Sequence, residues 1–512
     1  MRPVTAWLLR ANRQFHESGE PLSLGEFGRR FSGGGWPGGG KWSLSRWETG
    51  AAAVPYLAVR GYEDVLSLPP GTLTTVVDTL NRYLAPRPTS PPALARPAGV
   101  LDVDRHERLA ALVDRVHTGG VMTGAEWDEL TNFLSTTPAV VLPRPGTWSE
   151  LAERLLTEMI IADGLPWMQR FESLNRLLSH PVGQRPAIAA CASLAADRTN
   201  QVFIETVCAL DGSAHADANR AVLRQLGSPT NGRAHYGALL ASVRKSWHGH
   251  FSDTEARVLT RSLRGLVGDS GSDPETGALA VLVLDNLRER AGLPRVGSRS
   301  SAVVPTTGPT AGLLLGRVQA AIDIAAGAGD VAMDEVLAVL LGELLFNPVP
   351  DTRLYTGMLL KASPYAGPVA DALVAELARR ETLGNTLLAS RLVDALCVVG
   401  GNDHASAVQR LVGRLDVPAP VRELAASWVG HMGVSATDPF WQSAVTFYGR
   451  RWTATHDDAS GAILTNLVYS LGLVGNDVYL KRIRESDVPQ TARQAAGWWL
   501  NIRTEVRHSA RL

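Results

Sequence analysis

Cysteine, net charge and long apolar runs are all scarce in this 512-residue sequence. The three cysteines, Cys191, Cys208 and Cys397, are far apart and each lies in an apolar helical context. We therefore expect reduced core residues of a cytosolic protein, not a disulfide framework. Lys and Arg total 50, as do Asp and Glu, so any electrostatic attraction to a charged partner must come from a local patch.

The apolar stretches are too short to span a membrane. The longest ones, 278–284 and 336–341, are interrupted by Asp285 and Glu343. The first residues, MRPVTAWLLRANRQ, have only a three-residue apolar run before Arg10, which is shorter than the apolar region of a secretory signal. The sequence therefore predicts a soluble, cytoplasmic protein with no membrane partner.

Patterns that indicate catalysis are also missing. Trp247-His248-Gly249-His250 has two histidines but no third ligand at helical spacing, so we expect a loop without a metal. The glycine clusters 33–35 and 38–40 lack the preceding strand and the lysine-hydroxyl ending of a phosphate loop. We predict no catalytic residue, no metal, no cofactor and no enzymatic activity.

Helical periodicity, in contrast, runs through most of the chain. At about 150 residues per domain, the length predicts two to four units. Beyond residue 99, apolar residues recur at helical spacing with no strand alternation, for example in 107–116, 149–162, 169–178, 185–196, 201–210 and 216–226. The sequence therefore predicts an all-α fold.

The stretch 22–50, LSLGEFGRRFSGGGWPGGGKWSLSRWETG, predicts two short helices joined by a glycine-rich turn. For the first helix, Leu22, Phe27 and Phe31 supply one apolar face, and Ser23 is placed to cap the N-terminus, with Glu26 three residues on. In the second, Leu44 and Trp47 face inward, and Gly50 ends the helix. The polar sides of the second helix then carry Lys41, Ser43, Ser45 and Arg46.

The closing pattern Ser45-Arg46-Trp47-Glu48-Thr49-Gly50, with Pro55 shortly after, resembles the xenobiotic-response-element family of helix-turn-helix regulators, which includes the phage repressors. The resemblance covers roughly the first eighty residues. It implies that Lys41, Trp42 and Arg46 read base edges in the major groove of DNA, with Ser43 and Ser45 beside them. It also implies that Arg10 or Arg13 of the first helix pairs with Glu48.

Two features depart from the family pattern. The turn spans 32–40, whereas the family's turn is about three residues long. Leu24 stands where the family often has a phosphate-binding glutamine. Trp36, isolated among glycines, either stacks on nucleic acid or folds back on Trp42, and we favour the fold-back because buried indoles are commoner.

Further helices at 4–16, from Pro55 onward, and at 73–84 complete five helices, the number expected for this family. In the first, Trp7, Leu8 and Phe15 are expected to be buried. Residues 85–98, with five prolines, predict a semi-rigid linker that tethers the 1–84 helix-turn-helix domain without embedding it.

The rest divides into a helical domain at 99–296, a loop or joint at 297–311 and a helical-repeat domain at 312–512. The 312–512 domain contains a repeated sequence pattern. Asp416-Val417-Pro418 with Arg422 and Ala425 recurs as Asp487-Val488-Pro489 with Arg493 and Ala496. This pattern resembles HEAT repeats, in which helix pairs stack into an α-solenoid.

The family resemblance, taken with the helical periodicity of the body, implies a bacterial-type transcription regulator. Such a protein would bind double-stranded DNA and use the helical body for dimerisation, partner docking or sensing of a small-molecule effector. Residues 1–84 contain nine Lys or Arg against seven Asp or Glu, a small surplus that favours a dimer for tight binding. Two alternatives stay open: a repeat scaffold whose N-terminal domain contacts protein instead of DNA, and a HEAT-like DNA-repair enzyme.

Overall fold

The computed structural model describes residues 2–15, 22–37, 39–84, 103–137, 142, 146–268, 274–290, 309–325 and 335–512. The prediction of an all-α fold is confirmed: 79% of the described residues are helical, and no strand occurs in these ranges. The predicted linker at 85–98 lies outside the described residues, as does most of the predicted joint at 297–311. None of the described helices has the length and apolar character needed to cross a membrane.

The N-terminal unit, residues 2–84, has the five expected helices, and their bounds lie close to the predicted ones. They are α1 (Arg2–Gln14), α2 (Leu24–Gly33), α3 (Lys41–Glu48), α4 (Tyr56–Val65) and α5 (Thr72–Leu84). Buried Glu63 of α4 holds the start of α5, since its Oε1 accepts the backbone N–H groups of Leu73 and Thr74, both at 2.8 Å. A carboxylate at a helix N-terminus satisfies free donors and complements the helix dipole.

The described part of the middle segment, residues 103–290, forms ten helices, and each predicted helical stretch in it is confirmed. They are α6 (Val103–His117), α7 (Gly124–Thr136), α8 (Thr147–Ile160), α9 (Gly164–Ser179), α10 (Gln184–Ala196), α11 (Phe203–Cys208), α12 (Ala216–Gly227), α13 (Gly232–His248), α14 (Asp253–Gly268) and α15 (Pro274–Arg290). A 3₁₀ turn at Ala209–Gly212 follows α11.

The C-terminal segment, residues 309–512, contains the remaining described helices. They are α16 (Pro309–Ala325), α17 (Glu335–Phe346), α18 (Pro350–Lys361), α19 (Ala366–Leu377), α20 (Arg380–Gly384), α21 (Thr386–Val399), α22 (Ala405–Gly413), α23 (Ala419–Trp428), α24 (Pro439–Thr455), α25 (Asp458–Val474), α26 (Asp477–Glu485), α27 (Gln490–Asn501) and α28 (Thr504–Ser509). Helix α16 begins at Pro309, so its first residues lie within the stretch that was predicted as a joint.

The C-terminal helices stack in pairs. Helices α21, α23, α25 and α27 pack in succession, while α22, α24 and α26 each pack against the helix that follows them in the chain.

The repeated sequence pattern lies at matching places in this stack. Pro418 and Pro489 stand at the N-caps of α23 and α27, as the pattern predicted, and Ala425 and Ala496 are fully buried. Arg422 donates to Val417 O at 3.1 Å, but the equivalent Arg493 is exposed. Membership of the HEAT class stays a prediction.

The end of the chain returns to the middle segment. Helix α28 packs against α8, and the guanidinium of buried Arg170 donates to Ser509 O. Nearby, Met122 N–H donates to Ser509 Oγ at 3.2 Å and Gly124 N–H to Leu512 O at 3.3 Å. The middle and C-terminal segments therefore pack on each other at the chain's end.

The N-terminal unit is docked on this body, which corrects the prediction that it is not embedded. Buried Glu172 of α9 accepts from Thr79 at 3.0 Å and from Arg82 at 3.0 Å. On α18, the ring of Tyr355 lies 4.6 Å from that of Tyr83. The proline-rich composition of 85–98 indicates only a spacer, whereas contacts between α5 and the body depend on distant residues and have no local signal.

A second contact fixes α1. The rings of Trp7 and Tyr365 stack with centroids 5.9 Å apart, and Phe15 lies 5.6 Å from Tyr365. Asn12 Nδ2 donates to Ala362 O at 3.0 Å. Phe15 was expected to be buried within the N-terminal unit, but it remains 37% exposed and packs toward the body instead.

Candidate nucleic-acid interface

Helix α3 is held by its inner face. Leu44 is fully buried and Trp47 is 7% exposed, as their spacing predicted. Glu48, at the end of the helix, is also buried: Arg13 Nε donates to its Oε1 at 2.7 Å, and Arg13 Nη2 to its Oε2 at 2.6 Å. Of the two arginines that the family resemblance offered, Arg13 therefore makes the contact.

Tyr62 of α4 completes this buried group. Its hydroxyl donates to Glu48 Oε1 at 2.8 Å. Burial and the adjacent Glu48 carboxylate raise the pKa of Tyr62 well above its ordinary value, so this hydroxyl stays a donor. One carboxylate thus joins α1, α3 and α4 and sets the position of α3 relative to the rest of the unit.

Helix α2 packs on the other side of the same core. Phe27 and Phe31 are fully buried, and their rings lie 4.6 and 5.9 Å from that of Tyr62. Ser23 caps the helix as predicted, since its Oγ accepts from Glu26 N–H at 3.2 Å. The apolar face and its capping residue are local features, which is why the sequence identified them.

The glycine-rich turn lies against α2 and α4. A Cβ at Gly28 would lie 2.7 Å from Gly39 O, so the absence of a side chain there lets the turn approach α2 closely. Trp36 folds back, but onto α4 instead of onto Trp42: its Nε1 donates to Asp64 at 3.0 Å. The long turn is therefore packed, and the prediction about the partner of Trp36 is wrong because α4 supplies a nearer acceptor.

The five predicted DNA-contacting residues lie together on α3. Lys41 and Trp42 are exposed, Trp42 to 71%, while Ser43, Ser45 and Arg46 are half-buried. The Arg46 guanidinium lies 4.4 Å from the Trp42 ring centroid, a cation–π contact that the sequence did not predict. This contact holds the charge of Arg46 at the surface of the helix.

The N-terminus of α3 has no capping side chain at its N-cap position. Gly40 is the N-cap residue and supplies no side-chain hydrogen bond to the first turn. Uncapped N–H groups at a helix start form an anion site, and Lys41 adds a positive charge there. At the other end, Thr49 is exposed and its Oγ1 donates to Ser45 O at 2.8 Å. Thr49 was not among the predicted site residues, although it belongs to the closing pattern Ser45–Gly50.

The remaining candidate motifs do not form a second site. His248 is the last residue of α13, so the predicted loop begins at Gly249. His250 Nδ1 lies 3.2 Å from Asp211 O, and burial lowers the pKa of both histidines to about 4. Within the described ranges, no group of three or more His, Cys, Asp or Glu is placed to hold a metal.

The cysteines are buried, as predicted, and all three are free thiols. Burial raises the pKa of Cys191 to about 12 and that of Cys208 and Cys397 well above the ordinary value. At neutral pH they are therefore protonated, and they act as core residues.

No known protein-family model matches the chain, and no curated protein matches its sequence.

Proposed function

We propose that the chain is a DNA-binding transcription regulator whose helix α3 enters the major groove. The observation that carries the proposal is the division of α3 into two faces. Its inner face, with Leu44, Trp47 and Glu48, is buried, and its outer face presents the five residues Lys41, Trp42, Ser43, Ser45 and Arg46. A rigid helix with a polar, cationic outer face matches the width and the acceptor pattern of the major groove.

The two ends of α3 have different roles in this proposal. The uncapped N-terminus and Lys41 bind phosphate, which positions the helix along the duplex. Arg46 binds a base edge, where guanine offers two acceptors to a guanidinium group. Trp42 keeps Arg46 in place before binding, so less side-chain entropy is lost when the contact forms.

The body adds a second element to the proposal. Helices α1 and α5 contact the middle and C-terminal segments, so the body sets the position of the N-terminal unit. A second copy or a partner protein docked on the body would then set the spacing between two recognition helices. The small charge surplus of residues 1–84 favours such a dimer, since one unit alone neutralises few phosphates.

The test begins with selection of bound sequences from a random duplex library by the full chain. Lys41→Ala and Arg46→Ala are then compared with Arg484→Ala, a half-exposed arginine on α26. We expect Arg46→Ala, which removes the proposed base contact, to lose about 1–3 kcal/mol of discrimination between selected and random duplex, with unchanged helical content. Lys41→Ala, which removes the proposed phosphate contact, should weaken binding to both duplexes about equally. Arg484→Ala should bind as the parent chain does.

Other outcomes identify the alternatives. DNA binding that stays weak at low salt and shows no sequence preference would overturn the regulator proposal and favour the protein scaffold. Product formation on lesion-bearing duplex would favour the repair enzyme.

A further inference from the structure

A cavity of about 190 Å³ lies where the N-terminal unit meets both segments of the body. Thr72 and Val76 of α5 form one wall, Trp167 and Met168 of α9 a second, and Met358 of α18 a third. The lining is mostly apolar, and the cavity is partly open to solvent. Concave, largely apolar sites with a few polar groups are typical of small-molecule binding.

Four acidic or basic side chains line the wall, and three of them, Asp163, His431 and Lys361, contact described neighbours. Asp163 Oδ1 lies 2.9 Å from His431 Nδ1, and this imidazole lowers the pKa of the Asp163 carboxyl although burial opposes the shift. His431 Nε2 lies 3.3 Å from the Tyr469 hydroxyl. Lys361 Nζ donates to Gly400 O at 3.2 Å.

Glu205 of α11 is the fourth of these side chains, and it differs from the other three in its lack of a partner among the other described residues. Its side chain is half-buried in the cavity wall, and its carboxylate has no ion-pair partner among the residues that the structure describes. Burial raises the pKa of Glu205, although its own backbone N–H and the more distant charges of His431 and Arg233 lower it. An unpaired carboxylate in an apolar wall is costly unless a cation meets it.

Aromatic rings line the same cavity as Glu205: Trp167, Trp428, His431 and Tyr469. Trp167 stacks on Phe171 with centroids 4.9 Å apart, and Trp428 Nε1 donates to Asp394 at 2.9 Å, so both indoles are held in place. The ring of His431 lies between Trp428, at 4.9 Å, and Tyr469, at 5.8 Å. Indole and phenol faces attract organic cations, more strongly when water is excluded.

We propose that this cavity binds a small organic cation, an ammonium group carried on an apolar or aromatic body. The ammonium group meets the Glu205 carboxylate, and the apolar body fills the space between Trp167, Trp428 and Met358. Because the wall includes Thr72 and Val76, the bound molecule contacts the N-terminal unit and the body at the same time. Binding therefore stabilises the docked position of α5.

The coupling of this site to DNA binding rests on the proposed function, whereas binding of the cation itself does not. Ligand affinity is therefore measured first and without DNA. Three probes of similar size separate the charge from the shape: 2-phenylethylammonium, neutral 2-phenylethanol and anionic 3-phenylpropionate. Isothermal titration calorimetry of the full chain near neutral pH gives the dissociation constant of each.

We expect the ammonium probe to bind about tenfold or more tightly than the alcohol, and the carboxylate to bind most weakly. Glu205→Gln, which keeps the shape of the side chain, should weaken the ammonium probe about tenfold and leave the alcohol unchanged. The control is Glu485→Gln on α26, whose side chain is 69% exposed, and it should leave all three affinities unchanged. The melting temperature of each variant shows that it is folded.

Three results would overturn the proposal: no binding of the ammonium probe, tighter binding of 3-phenylpropionate, or a Glu205→Gln chain that binds the ammonium probe as the parent does. If the probe binds, a change of DNA affinity on adding it would show that the cavity is coupled to DNA binding. If the probe binds but the chain binds no DNA, the ligand site stands and the regulator proposal fails.

Discussion

Arg13 and Glu48 form a two-point ion pair in the core of the N-terminal unit, with Nε–Oε1 and Nη2–Oε2 distances of 2.7 and 2.6 Å. Their side chains are 7% and 4% exposed. The pair joins the first helix to the last turn of α3, so it determines where the outer face of α3 points. Its strength and its dependence on both partners can be measured directly.

Removal of one partner should destabilise the protein strongly. We expect Arg13→Ala to lower the stability of the N-terminal unit by about 3–5 kcal/mol, since it leaves the Glu48 carboxylate buried without its cation. Glu26→Ala removes a comparable pair with Arg30 whose side chains are 41% and 53% exposed, and should cost less than about 1 kcal/mol. Hydrogen exchange of the α3 and α4 amides measures the loss of stability in each variant. Equal losses in Arg13→Ala and Glu26→Ala would contradict the buried role of Arg13.

The salt dependence of DNA binding tests the phosphate role of Lys41. If Lys41 neutralises one phosphate, Lys41→Ala should reduce the slope of log affinity against log salt by about 1. Fluorescence anisotropy on a selected duplex between low and moderate salt gives the slope, with Arg484→Ala as the control. A slope equal to that of the parent chain would remove Lys41 from the phosphate contacts.

Alanine substitutions at Gly61 and Gly25 should change the stability of the N-terminal unit in opposite directions. A Cβ at Gly61 would lie 2.5 Å from the Phe31 ring, so we expect Gly61→Ala to destabilise the unit by about 1–3 kcal/mol. Gly25 is exposed on α2, and a methyl group added there would meet no neighbouring atom within 4 Å. Gly25→Ala should therefore stabilise by roughly 0.5–1 kcal/mol through higher helix propensity. Urea denaturation compares them, and a stabilising Gly61→Ala would refute the close packing of α4 on Phe31.

The pH dependence of stability reports on Asp394. Burial raises its pKa to about 7, with Glu275 adding to the shift and Arg391 and the Trp428 hydrogen bond opposing it. A carboxyl whose pKa is raised on folding contributes stability that is fully present below about pH 4 and is lost as the pH rises through about 7. Asp394→Asn keeps the acceptor for Trp428 and cannot ionise.

We therefore expect Asp394→Asn to match the parent chain near pH 4 and to exceed its stability by roughly 1–3 kcal/mol above about pH 7. Urea denaturation of both chains from about pH 4 to 8 measures the difference, in which the contributions of the other titrating groups cancel. A difference that does not change with pH would show that Asp394 titrates normally.

Docking of the N-terminal unit depends on Tyr365. Tyr365→Ala removes the stack with Trp7 and the contact with Phe15, so amide exchange in α1 should accelerate on the order of tenfold. Tyr365→Phe retains the ring and should leave exchange near that of the parent. Unchanged protection of α1 in Tyr365→Ala would show that α5 alone holds the unit in place.

Much of the fold was available from local patterns. Spacing of Leu44 and Trp47 identified the inner face of α3, and Ser23 was recognised as a cap because a cap depends on residues three positions apart. The same spacing placed Lys41, Ser43, Ser45 and Arg46 on the polar sides of α3, and the family resemblance added Trp42. The partner of Trp36 was not, because Asp64 is 28 positions away.

By itself, the sequence determined the all-α class, the five N-terminal helices and the division of α3 into an apolar and a polar face, since each depends on residues within a few turns of one helix. Only the tertiary structure decided that the N-terminal unit is docked and that Glu205 shares a cavity with Val76 and Trp428. Those residues come from distant helices, and their proximity arises from packing between helices, which periodicity along the chain does not specify.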